Sequence, residues 1–456
     1  MNKLKIVLGI SLWLIPNFII CQNWVTVDTG FNNMVKTLTF DSVANKLYAI
    51  GIFGVAGGSV NNLNNIAQYD GVSWDSVPVI NNSPPNIGSV AVYNNKIAFT
   101  SADQILLTDG ISLDTIASHT NGGILSLFVN NTDLYALGVF DSIMGVITGG
   151  IARWDGTTWS ALDTSTHWAS GFFFNCAAFY NGDLYIGGNF IDQTGTLDRL
   201  ARWDGTHWYP VGGGITGGLS DVFCMEVYNN KLYVGGMFNM SNGNPGNAIA
   251  SWDGSQWDNV GGGMTQSYAK VKDLQVYNYE LYAGGQFDYA GGRPIKGIAK
   301  WNGTEWCGLG FDANNTAVNT LAVYNNDLYL GGYFRTVLGD TMNYITKWNG
   351  GNYTDTCGSL TGVNELSPLS DNMNIFPNPS NGVFTISAVA TKIKEVRVMD
   401  VMGRIVNSEE LSANSTSATI DMSGYAKGIY FVRIVSTGST TDGSTTNVVN
   451  RKIVLQ

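Results

Sequence analysis

The feature that most constrains this 456-residue sequence is a repeat of about 49 residues that accounts for most of its length. A fixed period in this range indicates an array of identical supersecondary units. The sequence contains seven units. Each is marked by Trp-Asp-Gly, Trp-Asn-Gly or a degenerate form of these, and the marks begin at Tyr69, Thr108, Trp154, Trp203, Trp252, Trp301 and Trp348.

Each unit has four short apolar segments separated by turn signals, as in the copy at 223–263. The first two segments, 223–228 and 231–238, flank Asn229-Asn230, a pair that tolerates the left-handed conformation of a tight hairpin. The last two, 248–252 and 255–260, flank Asp253-Gly254, a second hairpin signal. Each unit is therefore predicted to form one four-stranded antiparallel sheet.

Seven such sheets predict an all-β fold with a seven-bladed β-propeller. One four-stranded sheet cannot bury two apolar faces, whereas sheets stacked around an axis bury both, and closing the ring leaves no long exposed edge. We assign the repeated Trp, Tyr, Gly and Asp residues to structure. A residue needed in every blade serves the blade rather than a single active site.

The sequence leaves the closure of the ring open. Eight segments resemble a fourth strand, including 23–27 around Trp24 and 351–357 around Tyr353, yet only seven second strands are present. Either one terminal segment is surplus, or the two ends of the repeat region share the last blade as a clasp. We favour the clasp.

The repeat text, Leu-Tyr-x-Gly-Gly-x-Phe followed by Ile-Ala-x-Trp-Asp-Gly-x-x-Trp, resembles the kelch-like (Rax2-like) propeller repeats of many secreted proteins. The resemblance covers residues 22–358 and implies the propeller fold. It implies little about function, because propellers carry many unrelated activities.

The N-terminus reads as a signal peptide at residues 1–21, with Lys3 and Lys5 before the apolar run 6–20. Cleavage after Cys21 is expected. A lipoprotein acylated at Cys21 is the weaker alternative, because Ile20 stands where lipoboxes place a small residue. The low charged fraction of 13%, the 56 glycines and the net charge of −11 fit an extracellular β-protein, and without a basic stripe nucleic acid is not an expected partner.

Four cysteines follow the leader, and an oxidising compartment permits disulfides between them. Cys176 and Cys224 occupy matching positions in adjacent units. Such positions are expected to lie too far apart for a bond, so both are predicted to be buried free thiols. A bond between Cys307 and Cys357, near the ring closure, is left open.

The repeat stops after Cys357, and residues 359–373 read as a linker with no periodicity. Four alternating segments follow, at 374–386, 394–406, 420–434 and 451–456. Their spacing predicts a small Ig-like β-sandwich at 374–456.

The same tail resembles the type A C-terminal sorting domain of the Bacteroidetes type IX secretion system. The resemblance rests on a Pro-Asn-Pro segment, two glycine turns, a Gly-Ile-Tyr strand and a basic last strand, namely Pro377, Asn378, Pro379, Gly403, Gly428, Tyr430, Arg451 and Lys452. It implies passage through the outer membrane by the type IX machinery, which is then a partner. The expected location is the outer-membrane surface or the medium.

The sequence offers little catalytic chemistry. Its three histidines, His119, His167 and His207, show no metal-ligand spacing, and no cofactor or metal is predicted. We find no Ser-His-Asp arrangement. The best acidic pair is Glu226, where other units have alanine, with Asp273 in the next unit; a structural, hydrogen-bonded role is the competing interpretation.

The most deviant loop, at 166–175, carries an aromatic group: His167, Trp168, Phe172, Phe173 and Phe174. Exposed aromatics on a propeller face would stack on sugar rings or dock a protein; alternatively, they fill the channel or a gap between blades. The sequence thus favours a secreted or surface-bound, non-catalytic binding or adhesion protein with a glycan or protein ligand. The alternative is a polysaccharide-acting enzyme that uses Glu226 and Asp273.

Overall fold

The computed structural model describes residues 24–58, 60–61, 63, 65–78, 80, 87–118, 120–163, 168, 171–215, 220–240, 243–313, 317–348, 373–377, 380–388, 392–400, 404–412, 415–437 and 446–455. The described residues are all-β, and their strands pair in antiparallel sheets. Across these residues no helix is both long and apolar enough to span a membrane.

The described part of the repeat region contains seven four-stranded antiparallel sheets, which we number 1 to 7 in chain order. In order from first to fourth strand, they are Val35–Asp41, Lys46–Gly51, Ile66–Tyr69 and Trp74–Asp75 (sheet 1); Ile87–Tyr93, Lys96–Ser101, Gln104–Thr108 and Leu113–Ala117 (sheet 2); Gly123–Asn130, Asp133–Val139, Ile151–Trp154 and Trp159–Ala161 (sheet 3); Phe173–Tyr180, Asp183–Ile191, Asp198–Trp203 and Trp208–Pro210 (sheet 4); Asp221–Tyr228, Lys231–Met237, Ile249–Trp252 and Trp257–Asp258 (sheet 5); Lys270–Tyr277, Glu280–Gln286, Ile298–Trp301 and Trp306–Gly308 (sheet 6); and Val318–Tyr324, Asp327–Gly332, Ile345–Trp348 and Trp24–Thr26 (sheet 7).

Short ribbons in the loops supplement these sheets. They are Val55–Ala56 with Val60–Asn61, Ser142–Ile143 with Val146–Ile147, Thr336–Val337 with Asp340–Thr341, and the three-stranded set Met264–Thr265, Tyr289–Ala290 and Arg293–Pro294.

Turn chemistry explains why each sheet forms locally. The hairpin between the first and second strands of sheet 5 is made by Asn229 and Asn230, at φ of 47° and 57°. Between the third and fourth strands of sheet 4, Asp204 Oδ1 accepts the backbone N–H groups of Thr206 and His207, both at 2.8 Å. The Thr206 hydroxyl also donates to Asp204 Oδ1, at 2.7 Å, and this hydrogen bond, together with the two backbone ones, holds the pKa of Asp204 well below its usual value.

The sheets pack against one another in chain order through their first strands. Each first strand contacts that of the next sheet, and the first strand of sheet 7 contacts that of sheet 1. Close approach depends on glycine: a methyl group added at Gly187 would lie 2.5 Å from both Met225 Cε and Val222 Cγ1 of the next sheet. The contacts therefore run in a closed cycle.

A tyrosine at the end of the first strand ties most sheets to the next one. Its hydroxyl donates to a carbonyl in the first hairpin of the following sheet, in the pairs Tyr180–Asn230 (2.8 Å), Tyr228–Tyr279 (2.9 Å), Tyr277–Asn326 (2.9 Å) and Tyr324–Asn45 (3.2 Å). In sheets 4 to 6 this tyrosine shares a core cluster with the second-strand tyrosine of its own sheet and the third-strand tryptophan of the next. We call the tyrosine at this position the joint tyrosine, and its contacts recur at successive interfaces.

Sheet 7 contains both ends of the repeat region. The strand Trp24–Thr26 pairs with Ile345–Trp348, Trp24 lies 4.8 Å from Trp348 between ring centroids, and its indole N–H donates to the Leu309 carbonyl at 3.1 Å. The predicted sharing of one sheet by the two ends is confirmed. The other candidate segment, 351–357, lies outside the described residues.

The cysteines differ in state. Cys176 and Cys224 are free thiols, as predicted, and burial raises the pKa of both. Cys307 is disulfide-bonded, whereas Cys357 lies outside the described residues.

The tail forms two antiparallel sheets that share one apolar core. One contains Met373–Phe376, Val383–Ala388 and Ser417–Asp421; the other contains Ile405–Glu410, Lys392–Met399, Gly428–Thr437 and Thr446–Leu455. Its core is built from fully buried side chains such as Ile386, Val396 and Val432. The Phe431 ring lies 5.2 Å from that of Tyr279 in the first hairpin of sheet 6, which brings the tail against the repeat region.

Candidate functional site

The repeat is irregular at the interface between sheets 3 and 4. Asn130 ends the first strand of sheet 3 and pairs with Asp133, just as Tyr180 pairs with Asp183 in sheet 4. Asn130 therefore occupies the position of the joint tyrosine, which is present in sheets 2 and 4 to 7. Sheet 1 has Asp41 at this position. At this interface an amide replaces a phenol.

A cavity of about 280 Å³ lies at this same interface. Its walls combine aromatic and apolar side chains of both sheets with two glycines of sheet 4, including Tyr135, Leu162, Phe179, Gly182, Trp203 and Gly205. Trp203 is partly exposed, whereas its equivalents in sheets 5, 6 and 7 are buried, at 9%, 7% and 8% exposure. Trp154, the equivalent in sheet 3, is partly exposed as well. The cavity lies at an interface that lacks the joint tyrosine.

Two phenylalanines, Phe128 and Phe179, pack on Tyr135 at this interface. Phe128 stacks on Tyr135 with ring centroids 4.7 Å apart, and Phe179 lies 6.0 Å from Tyr135. The equivalent residues one sheet further on are Ala178 and Val227. The cavity lies beside these rings and the turns of sheet 4 that contain Gly182 and Gly205.

The charged groups at the mouth of the cavity already form hydrogen bonds within the chain. Arg153 donates through Nε to Asp133 Oδ2 at 2.8 Å, and this hydrogen bond raises the pKa of the guanidinium. The Asp204 carboxylate accepts the N–H groups of its own turn, as described above. The cavity thus presents aromatic walls and a rim with little uncompensated charge.

Glu226 and Asp273 lie on the neighbouring first strands of sheets 5 and 6. Asp273 Oδ2 accepts the N–H of Leu321 at 2.7 Å and Oδ1 accepts the N–H of Leu274 at 2.9 Å. Burial raises the pKa of Asp273 to about 6, against the lowering effect of these hydrogen bonds. For Glu226, burial and the nearby Asp273 charge raise the pKa to about 8. The structure brings the two acids together, with Asp273 committed to backbone groups.

The aromatic loop residues lie elsewhere. Phe174 is fully buried, and the Trp168 ring lies 5.1 Å from Phe174 and 5.2 Å from Phe190, within the core shared by sheets 3 and 4. Phe172 packs on the same core, and Phe173 is 44% exposed. His167 lies outside the described residues. Apart from Phe173, the described aromatics of this loop fill the gap between the sheets.

The sorting residues of the tail are partly described. Pro377 is exposed, Gly428 pairs with Leu455, and the buried Tyr430 donates its hydroxyl to the Ala426 carbonyl at 2.8 Å. Arg451 and Lys452 belong to the last strand, opposite Val432 and Phe431. Asn378, Pro379 and Gly403 lie outside the described residues.

In the described part of the chain, no three His, Cys, Asp or Glu side chains lie close enough together to hold a metal ion. The cavity was missed by sequence reasoning. Its signal was present, because the copy with Val129-Asn130-Asn131 departs from Val227-Tyr228-Asn229 and its relatives. The meaning of that departure depends on knowing where the tyrosine hydroxyl reaches.

Residues 374–450 match the family of secretion system C-terminal sorting domains. No curated protein matches the sequence. Among solved structures, the chain is similar to the extracellular domain assigned to a one-component system of B. thetaiotaomicron, with 12% identity, a TM-score of 0.44, and coverage of 94% of this chain and 58% of that one.

A second similar structure is the extracellular domain assigned to a hybrid two-component system of B. thetaiotaomicron, with 10% identity, a TM-score of 0.46, and coverage of 95% of this chain and 57% of that one. The chain thus spans under two thirds of the length of both extracellular domains. A third is the computationally designed Ika8 protein, with 12% identity, a TM-score of 0.40, and coverage of 92% and 96% respectively.

Proposed function

We propose that this protein is a non-catalytic binding or adhesion protein that acts at the cell surface or in the medium. Its tail belongs to the sorting-domain family and implies export by the type IX machinery. We further propose a cleaved signal peptide at 1–21, a seven-bladed β-propeller at 22–358, a linker at 359–373 and an Ig-like sorting domain at 374–456.

Two observations support the propeller. The seven sheets contact each other in a closed cycle through their first strands. Sheet 7 takes its outermost strand from the start of the repeat region, so the two ends of the ring are held by one hydrogen-bonded ladder. Such a ring is a rigid platform for a binding site.

The cavity between sheets 3 and 4 is the observation that carries the binding role. It lies where Asn130 replaces the tyrosine found in five of the other sheets, and a residue that differs from most copies of the repeat is not needed to build the blades. A concave site that combines aromatic walls with a limited set of polar groups, here Arg153, Ser160 and Asp204, is typical of ligand binding. The ligand is a glycan or a protein.

The binding role is tested with the purified full-length secreted chain on a glycan array and on a panel of extracellular proteins. Phe179→Val, which restores the residue found at 227, 276 and 323, removes one wall of the cavity. The matched control is Phe173→Ala, an exposed aromatic of the loop. We expect Phe179→Val to weaken binding at least tenfold and Phe173→Ala to preserve it. Loss of binding only in the control would overturn the cavity as the site.

The type IX route is tested separately by deleting residues 374–456 in a bacterium that has this secretion system. The truncated protein is expected to accumulate in the periplasm and to disappear from the cell surface and medium. Unchanged surface display would overturn the export role of the tail.

A second candidate function, hydrolysis of a polysaccharide, is favoured by the raised pKa values of Glu226 and Asp273. A carboxyl that is protonated near neutral pH beside a second carboxyl is the arrangement used for glycosidic bond cleavage. Turnover of a polysaccharide panel that is abolished in Glu226→Gln would support it. Absence of turnover by the wild-type chain, together with saturable binding, would reject it.

A further inference from the structure

We propose that the cavity between sheets 3 and 4 binds a phenolic ring, the side chain of a tyrosine presented by a partner protein. The ring would take the place that the chain's own tyrosine takes at other interfaces. This inference rests on the proposed binding function and specifies its ligand.

Other interfaces of this chain show how it binds a tyrosine side chain. At four interfaces, a tyrosine hydroxyl donates to a hairpin carbonyl of the next sheet at 2.8–3.2 Å. Between sheets 4 and 5, Tyr180 lies 5.8 Å from Tyr185 between ring centroids and shares a core cluster with Trp252. The Tyr185 ring, the Trp252 indole and the Asn230 carbonyl together form the binding site for the Tyr180 side chain.

The corresponding groups are present between sheets 3 and 4. The ladder makes Tyr135 equivalent to Tyr185, and Trp203 equivalent to Trp252. The first hairpin of sheet 4 places Gly182 at the position of Asn230, directly before the first residue of the second strand. Tyr135, Trp203 and Gly182 all line the cavity. The occupant is missing, because Asn130 lacks the ring that would fill the site.

The chemistry of the walls favours a phenol over a sugar. A pyranose carries several hydroxyl groups that each require a partner, and leaving buried polar groups unpaired is costly. Arg153 and Asp204 are committed to Asp133 and to the Asp204 turn. A phenol needs aromatic surface and one acceptor, and tyrosine is among the residues most enriched at the centres of protein interfaces.

The size of the cavity limits the bound part of the ligand to a single ring. Its volume of about 280 Å³ is near the lower end of small-molecule sites, which begin at about 300 Å³. One ring fits, whereas an oligosaccharide would extend beyond the walls. The exposed Ser160 and Asp204 at the rim mark the side from which a partner's side chain enters.

The experiment titrates the full-length secreted chain with N-acetyl-tyrosinamide, N-acetyl-phenylalaninamide and methyl glucoside, and follows binding by NMR and by the intrinsic tryptophan fluorescence, with a Trp203→Phe variant to identify the contribution of Trp203. We expect saturable binding of the tyrosine probe in the millimolar range, about five- to tenfold weaker binding of the phenylalanine probe because one hydrogen bond is lost, and no saturation by the glucoside.

Asn130→Tyr supplies the missing ring from within and should abolish binding of the tyrosine probe while raising the melting temperature. Asn130→Gln, which adds no ring, is the matched control and should bind normally. If Asn130→Tyr does not fold, Ser160→Trp blocks the mouth from the exposed side and should also abolish binding.

Unchanged binding of the tyrosine probe in a folded blocking variant would overturn the proposal, as would preferential binding of the glucoside. If no ring probe binds but the array or the protein panel gives a ligand sensitive to Phe179→Val, the phenol assignment fails and the proposed function stands. If neither the probes nor the panels bind, both fail.

Discussion

The carboxylate of Asp273 in sheet 6 accepts the backbone N–H of Leu321 in sheet 7 at 2.7 Å. Equivalent bridges join other first strands: Ser89 Oγ accepts the N–H of Leu127, and Thr320 Oγ1 accepts that of Leu38, both at 3.0 Å. In sheets 2, 6 and 7 this position of the first strand therefore supplies an acceptor to the next sheet, whereas in sheet 5 the Cys224 thiol donates to the Val271 carbonyl. Asp273 is the charged member of a set otherwise made of Thr, Ser and Cys, at 37, 89, 126, 176, 224 and 320.

This relationship predicts that the identity of the acceptor matters less than its presence. Asp273→Thr copies the residue at 320 and should change the free energy of unfolding by less than about 1 kcal/mol. Asp273→Ala leaves the Leu321 N–H without this acceptor and should cost about 1–3 kcal/mol. Denaturant unfolding of the two variants measures the difference, and equal losses would show that the bridge contributes nothing.

Glu226 predicts a dependence of stability on pH. Its pKa is about 8 in the folded chain against 4.5 ordinarily, so the folded state keeps a proton that the unfolded state releases between these values. Stability from this group is therefore complete below pH 4.5 and is lost as pH rises towards 8. Asp273 acts in the same direction, since its pKa is also raised, to about 6.

Glu226→Gln keeps the neutral shape and cannot ionise. At pH 8 its free energy of unfolding should exceed that of the wild type by about 2–4 kcal/mol, and near pH 4.5 the two should agree. Glu280→Gln, which removes an outer carboxylate paired with Lys300, is the control. Parallel pH curves for the wild type and Glu226→Gln would contradict the prediction.

The local structure of the repeat could be predicted from sequence because each unit encodes its own turns. Strands predicted at 223–228 and 231–238 are found at Asp221–Tyr228 and Lys231–Met237, on either side of the Asn229-Asn230 turn. Counting fourth strands left two alternatives for the closure, and the favoured one, in which both ends of the repeat region share sheet 7, is the one found. The hairpins depend on residues close in sequence, and the shared sheet depends on the number of fourth-strand segments in the repeat.

The site could not be predicted in the same way, because it depends on contacts between units. Whether Trp168 and Phe174 face solvent or the gap between sheets is decided by their neighbours in sheet 4, such as Phe190, rather than by their own loop. The cavity depends on where a tyrosine hydroxyl of one sheet reaches in the next. The sequence shows that Asn130 replaces a tyrosine, but the effect of this replacement depends on how the strands of sheets 3 and 4 are placed across their interface.

The tyrosine joints predict different costs for removing one hydroxyl. Tyr228 donates to the Tyr279 carbonyl at 2.9 Å, so Tyr228→Phe should cost about 0.5–1.5 kcal/mol. The hydroxyl of Tyr93 is buried and has no hydrogen-bond partner among the described residues. Tyr93→Phe should therefore be neutral or stabilising. The two free energies of unfolding, measured by denaturant titration, should differ in this order, and the reverse order would refute the assignment of the joint.

The last prediction concerns the contact between the repeat region and the tail. Tyr279 sits at φ of 65° in a hairpin position that is Asn230 in sheet 5 and Asn326 in sheet 7. A bulky residue is uncommon in this conformation, and its hydroxyl is buried without a partner in the described structure. The ring of Phe431, 5.2 Å away in an edge-to-face arrangement, is the contact that compensates.

A double-mutant cycle in the full-length chain tests this contact. Tyr279→Asn and Phe431→Ala should show a coupling energy of about 0.5–1.5 kcal/mol, the range found for aromatic pairs, in the hydrogen-exchange protection of the strand Gly428–Thr437. Tyr333, which is 47% exposed and forms its ring contact with Tyr344, provides the control: Tyr333→Asn should not couple to Phe431→Ala. Equal coupling in both cycles, or none with Tyr279, would mean that the tail is not held by this pair. A coupling confined to Tyr279 would explain why one hairpin departs from asparagine, since its ring stabilises the tail rather than its own turn.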